Sequence, residues 1–102
     1  MSDPTKTFSL GNAQIAQCVW NCVQTTSVNQ DHTVYNPPPP SNQGTSSTPA
    51  AGGHVDLDFS VNISAATVTY TLTHEPFIVP TDKVWDGIQN MINGCIKQCS
   101  SS

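Results

Sequence analysis

The sequence contains no arginine, and its basic residues are only Lys6, Lys83 and Lys97. Its net charge is −4, and charged residues make up 10% of the chain, against about a quarter in an average domain. Binding to nucleic-acid phosphates requires clustered lysine and arginine that release counterions. Three scattered lysines provide no such cluster, so we exclude nucleic acids and anionic membrane surfaces as partners.

Long hydrophobic runs are also absent. No apolar run approaches the roughly 18–20 residues that cross a membrane, and no signal peptide is visible at the beginning of the sequence. Ser, Thr, Asn and Gln instead supply 38 of the 102 residues. A surface of hydroxyls and amides is common in secreted proteins and assemblies, so the composition favours an extracellular or other oxidising compartment.

The strongest pattern is the strict alternation of apolar and polar residues over 54–73. A period of two with β-branched and aromatic residues predicts a β-hairpin. The expected turn near its middle pairs Phe59 with Tyr70 and Leu57 with Leu72, which places both apolar sets on one face. A two-stranded hairpin is marginal alone. We therefore expect a further strand, for which the candidate segments are 5–10, 32–35 and 77–79.

Two segments show helical spacing of apolar residues. The first extends from Ala13 to about Thr25 and the second begins at Thr81. Trp20 and Trp85 lie off the centres of the two apolar stripes. An exposed tryptophan can stack on a sugar ring or anchor a protein partner, so both are candidate binding residues.

Residues 26–53 have no sustained period and include Pro37–Pro40 followed by a Ser/Thr/Gly-rich run. This composition predicts a long loop in which the four prolines form a stiff rod. The whole chain, residues 1–102, is then expected to be a single α+β domain. Its two helices would pack on one face of a small antiparallel sheet built around the hairpin.

The most specific feature is the pair of Cys-x-x-x-Cys motifs, Cys18/Cys22 and Cys95/Cys99, one on each helix stripe. Three interpretations remain open. Disulfides between the helices would join Cys18 to Cys99 and Cys22 to Cys95 if the helices are antiparallel, and Cys18 to Cys95 and Cys22 to Cys99 if they are parallel. Reduced cysteines would be ordinary core residues. Four thiolates would form a zinc or iron–sulfur site.

Other candidate chemistry is weaker. His54, Asp56 and Asp58 lie on the polar face of their strand, and Glu75 follows the hairpin, so the four are a weak candidate for a divalent-cation site. A solvated outer face explains the same alternation without any metal. No nucleophile with its base is apparent and no catalytic motif is present. We therefore expect no enzymatic activity and no cofactor.

The sequence as a whole favours a small non-catalytic binding or structural and assembly protein, acting outside the cell or delivered there. The alternative is a cysteine-based metal-binding or redox-responsive module. The hairpin strands carry no lysine, which is poor protection against edge pairing. Self-association into a homo-oligomer through sheet edges is therefore the leading hypothesis for a partner, followed by another protein or a glycan.

Overall fold

A computed structural model of the chain describes residues 4–50, 52–76 and 78–100. The elements in these residues are, in chain order, β1 (Thr5–Ser9), α1 (Ala16–Asp31), β2 (Val34–Asn36), β3 (Gln43–Ala50), β4 (Gly53–Asn62), β5 (Thr67–His74) and α2 (Thr81–Ser100). The strands form one antiparallel sheet in the order β1-β5-β4-β3-β2. The predicted α+β class with an antiparallel sheet and a hairpin is confirmed.

The hairpin of β4 and β5 has the predicted register. Phe59 lies opposite Tyr70 and Leu57 lies opposite Leu72. The turn closes where the amide of Ala66 donates to the carbonyl of Ile63 over 3.0 Å. The register was predictable because a shift by one residue would expose every apolar side chain of both strands.

The predicted additional strands are present at two of the three candidate segments. Strand β1 pairs with β5, with Phe8 opposite Val68, and β2 pairs with β3 at the far edge of the sheet. In the third segment, Ile78 and Val79 belong to no strand, and residue 77 lies outside the described residues. The hairpin is therefore the centre of a wider sheet.

The prediction of a long loop over residues 26–53 is wrong for most of that segment. Helix α1 continues to Asp31, and β2 and β3 occupy much of the remainder. Ser46 is the buried residue of β3, at 5% exposure, so no apolar alternation marks this strand. It forms because its backbone pairs with β4 along its whole length, and such tertiary pairing overrides local propensity.

The proline run is also not the predicted rod. Asn36 of β2 lies opposite Thr45 of β3, so the chain between them reverses direction. Pro37–Pro40 lie within this reversal, and the peptide bonds Asn36–Pro37 and Pro39–Pro40 are cis. The prolines therefore belong to the connection between two paired strands.

Helix α1 holds this connection at Ser41, which is buried. The indole nitrogen of Trp20 donates to the Ser41 carbonyl over 2.6 Å. The Gln24 side chain, 1% exposed, donates to the Ser41 hydroxyl over 3.0 Å and accepts from the Ser41 amide over 3.1 Å. Buried polar groups are stable when they are paired in this way, and the contacts fix the loop against the helix.

Aromatic contacts join each helix to the sheet. The Trp20 ring of α1 is 5.2 Å from Phe59 and 6.1 Å from Tyr70, measured between centroids. The Trp85 ring of α2 is 6.0 Å from Phe8 of β1. These distances lie within the range in which aromatic rings attract one another. In the described part of the chain, neither helix has the length and apolar character needed to span a membrane.

Candidate functional site

The four cysteines are paired in two disulfides between the helices. Cys18 is bonded to Cys99 with their Cα atoms 6.1 Å apart, and Cys22 is bonded to Cys95 with their Cα atoms 5.7 Å apart. This is the pairing predicted for antiparallel helices. The two other interpretations, reduced core cysteines and a four-thiolate metal site, both need free thiols, and among the described residues no cysteine is free.

The disulfides link only one end of the helix pair. They join the first half of α1, at Cys18 and Cys22, to the last turns of α2, at Cys95 and Cys99. Because the helices are antiparallel, the second half of α1 faces the first half of α2. No disulfide joins these halves in the described chain.

A cavity of about 250 Å³ lies between the unlinked halves and the sheet. We call it the interhelical cavity. Its walls are mainly apolar, and the aliphatic residues come from both helices, from β4 and from Val79 before α2. They include Val23, Val55, Leu57, Val84, Ile88 and Met91. Both helices and several strands therefore line this space, which is partly open to solvent on the side of α2.

Hydroxyl groups supply most of the polar lining of the interhelical cavity. The Ser27 hydroxyl donates to the Val23 carbonyl over 2.9 Å and lies 2.7 Å from the Tyr35 hydroxyl. Thr33 and Thr48 share a second hydroxyl pair, also at 2.7 Å. Burial raises the pKa of Tyr35 above its ordinary value, so its phenol is protonated at neutral pH.

Tyr70 also lines the interhelical cavity and is 3% exposed. Burial raises the pKa of its phenol well above the ordinary value, with the neighbouring Tyr35 as a smaller cause in the same direction. Its ring packs against Trp20 and Phe8. No hydrogen bond of its hydroxyl is found within the described residues. Tyr70 therefore brings an unpaired neutral hydroxyl to the cavity.

The charged residues of the lining are Asp31 at the end of α1 and Lys83 at the beginning of α2. Both are exposed, so their charges are solvated. The buried part of the interhelical cavity is consequently neutral, and its chemistry is that of apolar walls with a few hydroxyls.

The two tryptophans are not surface binding residues. Trp20 is 0% and Trp85 is 5% exposed, so the prediction of an exposed indole is wrong. Trp20 is buried although it lies off the apolar stripe of α1, because its ring packs against Phe59 and Tyr70 of the sheet and its indole nitrogen bonds to the loop at Ser41. Stacking on a sugar ring and anchoring of a protein partner both required an exposed indole ring, which neither tryptophan provides.

The weak metal candidates are only partly brought together. His54 Nδ1 lies 2.8 Å from a carboxylate oxygen of Asp56, and the His54 and His74 rings are 4.6 Å apart between centroids. Glu75 instead accepts a hydrogen bond of 2.7 Å from the Thr81 hydroxyl at the start of α2. The described chain contains no group of three or more His, Cys, Asp or Glu side chains arranged to hold a metal, and Asp58 joins no such group.

The interhelical cavity is the feature that the sequence did not indicate. The apolar stripe of α2 includes Val84, Ile88 and Met91, which are partly buried, but the stripe does not show that space remains in front of it. Gly87 lies among them in the lining, and a Cβ atom built there would meet nothing within 4 Å. A glycine beside such a stripe is the only local signal, and it has many other causes.

Comparisons of this chain with models of protein families, with curated proteins and with solved structures found no match.

Proposed function

We propose that this chain is a small non-catalytic binding protein whose ligand, a small apolar molecule, occupies the interhelical cavity. The observation that carries the proposal is the cavity itself, about 250 Å³ between the unlinked helix halves and the sheet. Small-molecule sites in proteins are concave and mostly apolar. An apolar cavity of about 150 Å³ is already enough to bind benzene, so this one has room for a larger molecule.

The nature of the walls supports a ligand of this class. Ligand pockets are mostly apolar with a small number of placed polar groups, and here Val55, Leu57 and Ile88 provide apolar area beside the hydroxyls of Ser27 and Tyr35. The cavity is a compact space that is partly open to solvent. A small molecule fits it better than a peptide segment, which requires an extended groove or a free sheet edge.

The disulfides support the same proposal by providing a rigid frame. They hold α1 and α2 together at Cys18–Cys99 and Cys22–Cys95, so the cavity walls are positioned before a ligand arrives. Preformed sites lose less affinity to ordering than flexible ones. Disulfides also persist in oxidising compartments, which supports a role outside the cell.

The test is binding of naphthalene, followed by backbone amide NMR and calorimetry. We expect saturable binding with chemical-shift changes at lining residues such as Val55, Ile88 and Met91. The variant Gly87→Leu should weaken the affinity at least tenfold, because it adds a side chain beside the cavity at a site where a Cβ has open space. Shift changes confined to residues outside the lining, or no binding, would overturn the proposal.

The matched control is Gly94→Leu. Gly94 is on the same helix, its Cβ position is equally open, and it is not part of the lining. Both variants replace a helical glycine by a good helix former, which favours the folded state. We therefore expect Gly94→Leu to bind naphthalene as the unchanged protein does, which separates filling of the cavity from a general effect of the substitution.

Self-association through a sheet edge is a second candidate function, supported by one observation at β2. In this three-residue edge strand, Val34 is 68% exposed. The hairpin itself is covered on both sides by β1 and β3, and the other edge strand, β1, carries Lys6, which discourages pairing. We expect Val34→Lys to abolish any oligomer seen by light scattering, whereas a monomer at millimolar concentration would remove this candidate.

A further inference from the structure

The hydroxyl groups of the interhelical cavity indicate the chemical class of its ligand, which the size of the cavity does not. Tyr70 is almost completely buried and lines the cavity, and its hydroxyl has no hydrogen bond within the described residues. This hydroxyl is not among the buried unpaired atoms of the described residues, so its oxygen is accessible from the cavity, and such groups are usually paired with protein, water or ligand. Tyr70 therefore has one donor and two acceptor positions available to an occupant of the cavity.

Tyr35 is left with acceptor capacity only. Its hydroxyl and that of Ser27 share one hydrogen bond of 2.7 Å. Ser27 has a single proton, and the carbonyls of Val23 and Gln24 lie 2.9 Å and 3.1 Å from its oxygen as acceptors. If Ser27 gave this proton to Tyr35, the Tyr35 proton would have no acceptor in the described chain. Tyr35 is therefore the donor to Ser27, and its own oxygen lone pairs stay free.

We infer that the ligand is a neutral, largely apolar alcohol or phenol whose hydroxyl group hydrogen-bonds to the tyrosine hydroxyls of the interhelical cavity. This inference rests on the proposed function and specifies the ligand class for the same site. A hydroxyl both donates and accepts, which matches a lining that offers one free donor at Tyr70 and acceptors at Tyr70 and Tyr35. A hydrocarbon would leave the Tyr70 hydroxyl buried and unpaired.

The charges of the lining argue for a neutral ligand. Its two charged residues, Asp31 and Lys83, have opposite signs and are exposed. A charged group inside the cavity would lose its hydration without gaining a buried counter-ion, which is strongly unfavourable. A carboxylate would have to remain outside beside Lys83, where exposed ion pairs contribute little.

The experiment compares three probes of nearly the same shape, which are naphthalene, 2-naphthol and 2-naphthoate. One net hydrogen bond changes affinity by about 3- to 10-fold, so we expect 2-naphthol to bind more tightly than naphthalene by this factor. We expect 2-naphthoate to bind more weakly than 2-naphthol. In Tyr70→Phe most of the naphthol advantage should be lost, because only the acceptor at Tyr35 remains, while naphthalene should bind at least as well as before.

The control is Tyr35→Phe, which also removes one hydroxyl from the lining but leaves the free donor at Tyr70. It should retain part of the naphthol preference, whereas Tyr70→Phe should lose most of it. Equal affinity of naphthalene and 2-naphthol for the unchanged protein would overturn this inference and leave the binding proposal intact. Tighter binding of 2-naphthoate would overturn it in favour of a carboxylate at Lys83. Failure of all three probes to bind would overturn the proposed function together with it.

Discussion

The two ends of the helix pair are held together by different means. At one end, α1 and α2 are joined by two disulfides, and Trp20 fixes the proline-containing loop through Ser41. At the other end, the helix halves face each other across a cavity of about 250 Å³, lined by apolar walls and a hydroxyl that has no partner in the described chain. The disulfides and hydrogen bonds at one end hold the helices together, so the fold tolerates a cavity between the helices at the other end.

The largest expected effect comes from removing the covalent link. The Cys18–Cys99 bond spans 81 residues, and closing a loop of this length stabilises a protein by about 4–5 kcal/mol in the loop-entropy model. With that loop closed, the Cys22–Cys95 bond closes only a small second ring and adds about 2–3 kcal/mol. Replacing either pair by alanine should therefore cost about 2–3 kcal/mol, and replacing both pairs about 7 kcal/mol.

Urea denaturation of the three variants measures this directly. The loss for the variant without either disulfide should exceed the sum of the two separate losses, because either bond alone closes the long loop. If the variant that lacks both disulfides is already unfolded in buffer, that result agrees with this expectation. Strictly additive losses would show that the two disulfides act as independent local contacts. The long closed loop would then not be what distinguishes the linked end of the helix pair from the unlinked end.

The second prediction tests the anchor between Gln24 of α1 and the proline-containing loop. Gln24→Leu keeps the side-chain volume but leaves the buried Ser41 amide without its acceptor, so we expect a loss of about 1–3 kcal/mol in the free energy of unfolding. Gln17 is the matched control, because it also hydrogen-bonds to this loop, at Asn42, but is exposed. Gln17→Leu should change stability by less than about 0.5 kcal/mol. Equal losses in the two variants would contradict the role of burial.

The sequence predicted the parts of this fold that depend on patterns repeated along one segment. The alternation over 54–73 specified the Phe59–Tyr70 and Leu57–Leu72 pairs, since any other parity would expose the apolar set. The antiparallel disulfide pairing was one of two arrangements that the cysteine spacing allowed. In each case the information lies in side-chain periodicity, which the sequence displays directly.

The remaining features depend on contacts between distant segments. Strand β3 has Ser46 as its buried residue and forms by backbone pairing, which leaves no trace in the side chains. The burial of Trp20 depends on Phe59 and Tyr70 of the sheet and on a loop that returns to Ser41, 21 residues later. The interhelical cavity is assembled from both helices and four strands. No single segment contains the pattern that would have predicted any of these.

The third prediction compares two tyrosine hydroxyls of the interhelical cavity, at the unlinked end of the helix pair. Tyr35→Phe removes the hydrogen bond to Ser27 and should lower the free energy of unfolding by about 1 kcal/mol. Tyr70→Phe removes a hydroxyl that has no hydrogen bond to the described chain and is not among its buried unpaired atoms, so the stability of the ligand-free protein should be nearly unchanged. Chemical denaturation of both variants without ligand distinguishes them. A loss of more than about 1 kcal/mol in the free energy of unfolding of Tyr70→Phe would show that its hydroxyl is already hydrogen-bonded. The polar groups at the unlinked end would then be paired as completely as those at the linked end.

The smallest expected effect lies outside the core, on the outer face of the sheet near the open end. A hydrogen bond from Ser47 holds the pKa of Asp56 below its ordinary value, with His54 as a further cause, although desolvation opposes them. The folded state therefore binds a proton less readily than the unfolded chain. The stabilisation is present above the unfolded pKa of about 3.9 and is lost as the pH falls through the folded pKa.

Asp56→Asn should flatten the acid side of the stability profile, and Ser47→Ala should do so in part. The change at pH 7 should be small, since the site is solvated and screened. An unaltered acid profile in both variants would leave the outer face without electrostatic influence on the fold, and the two ends of the helix pair would then differ through the core and the disulfides alone.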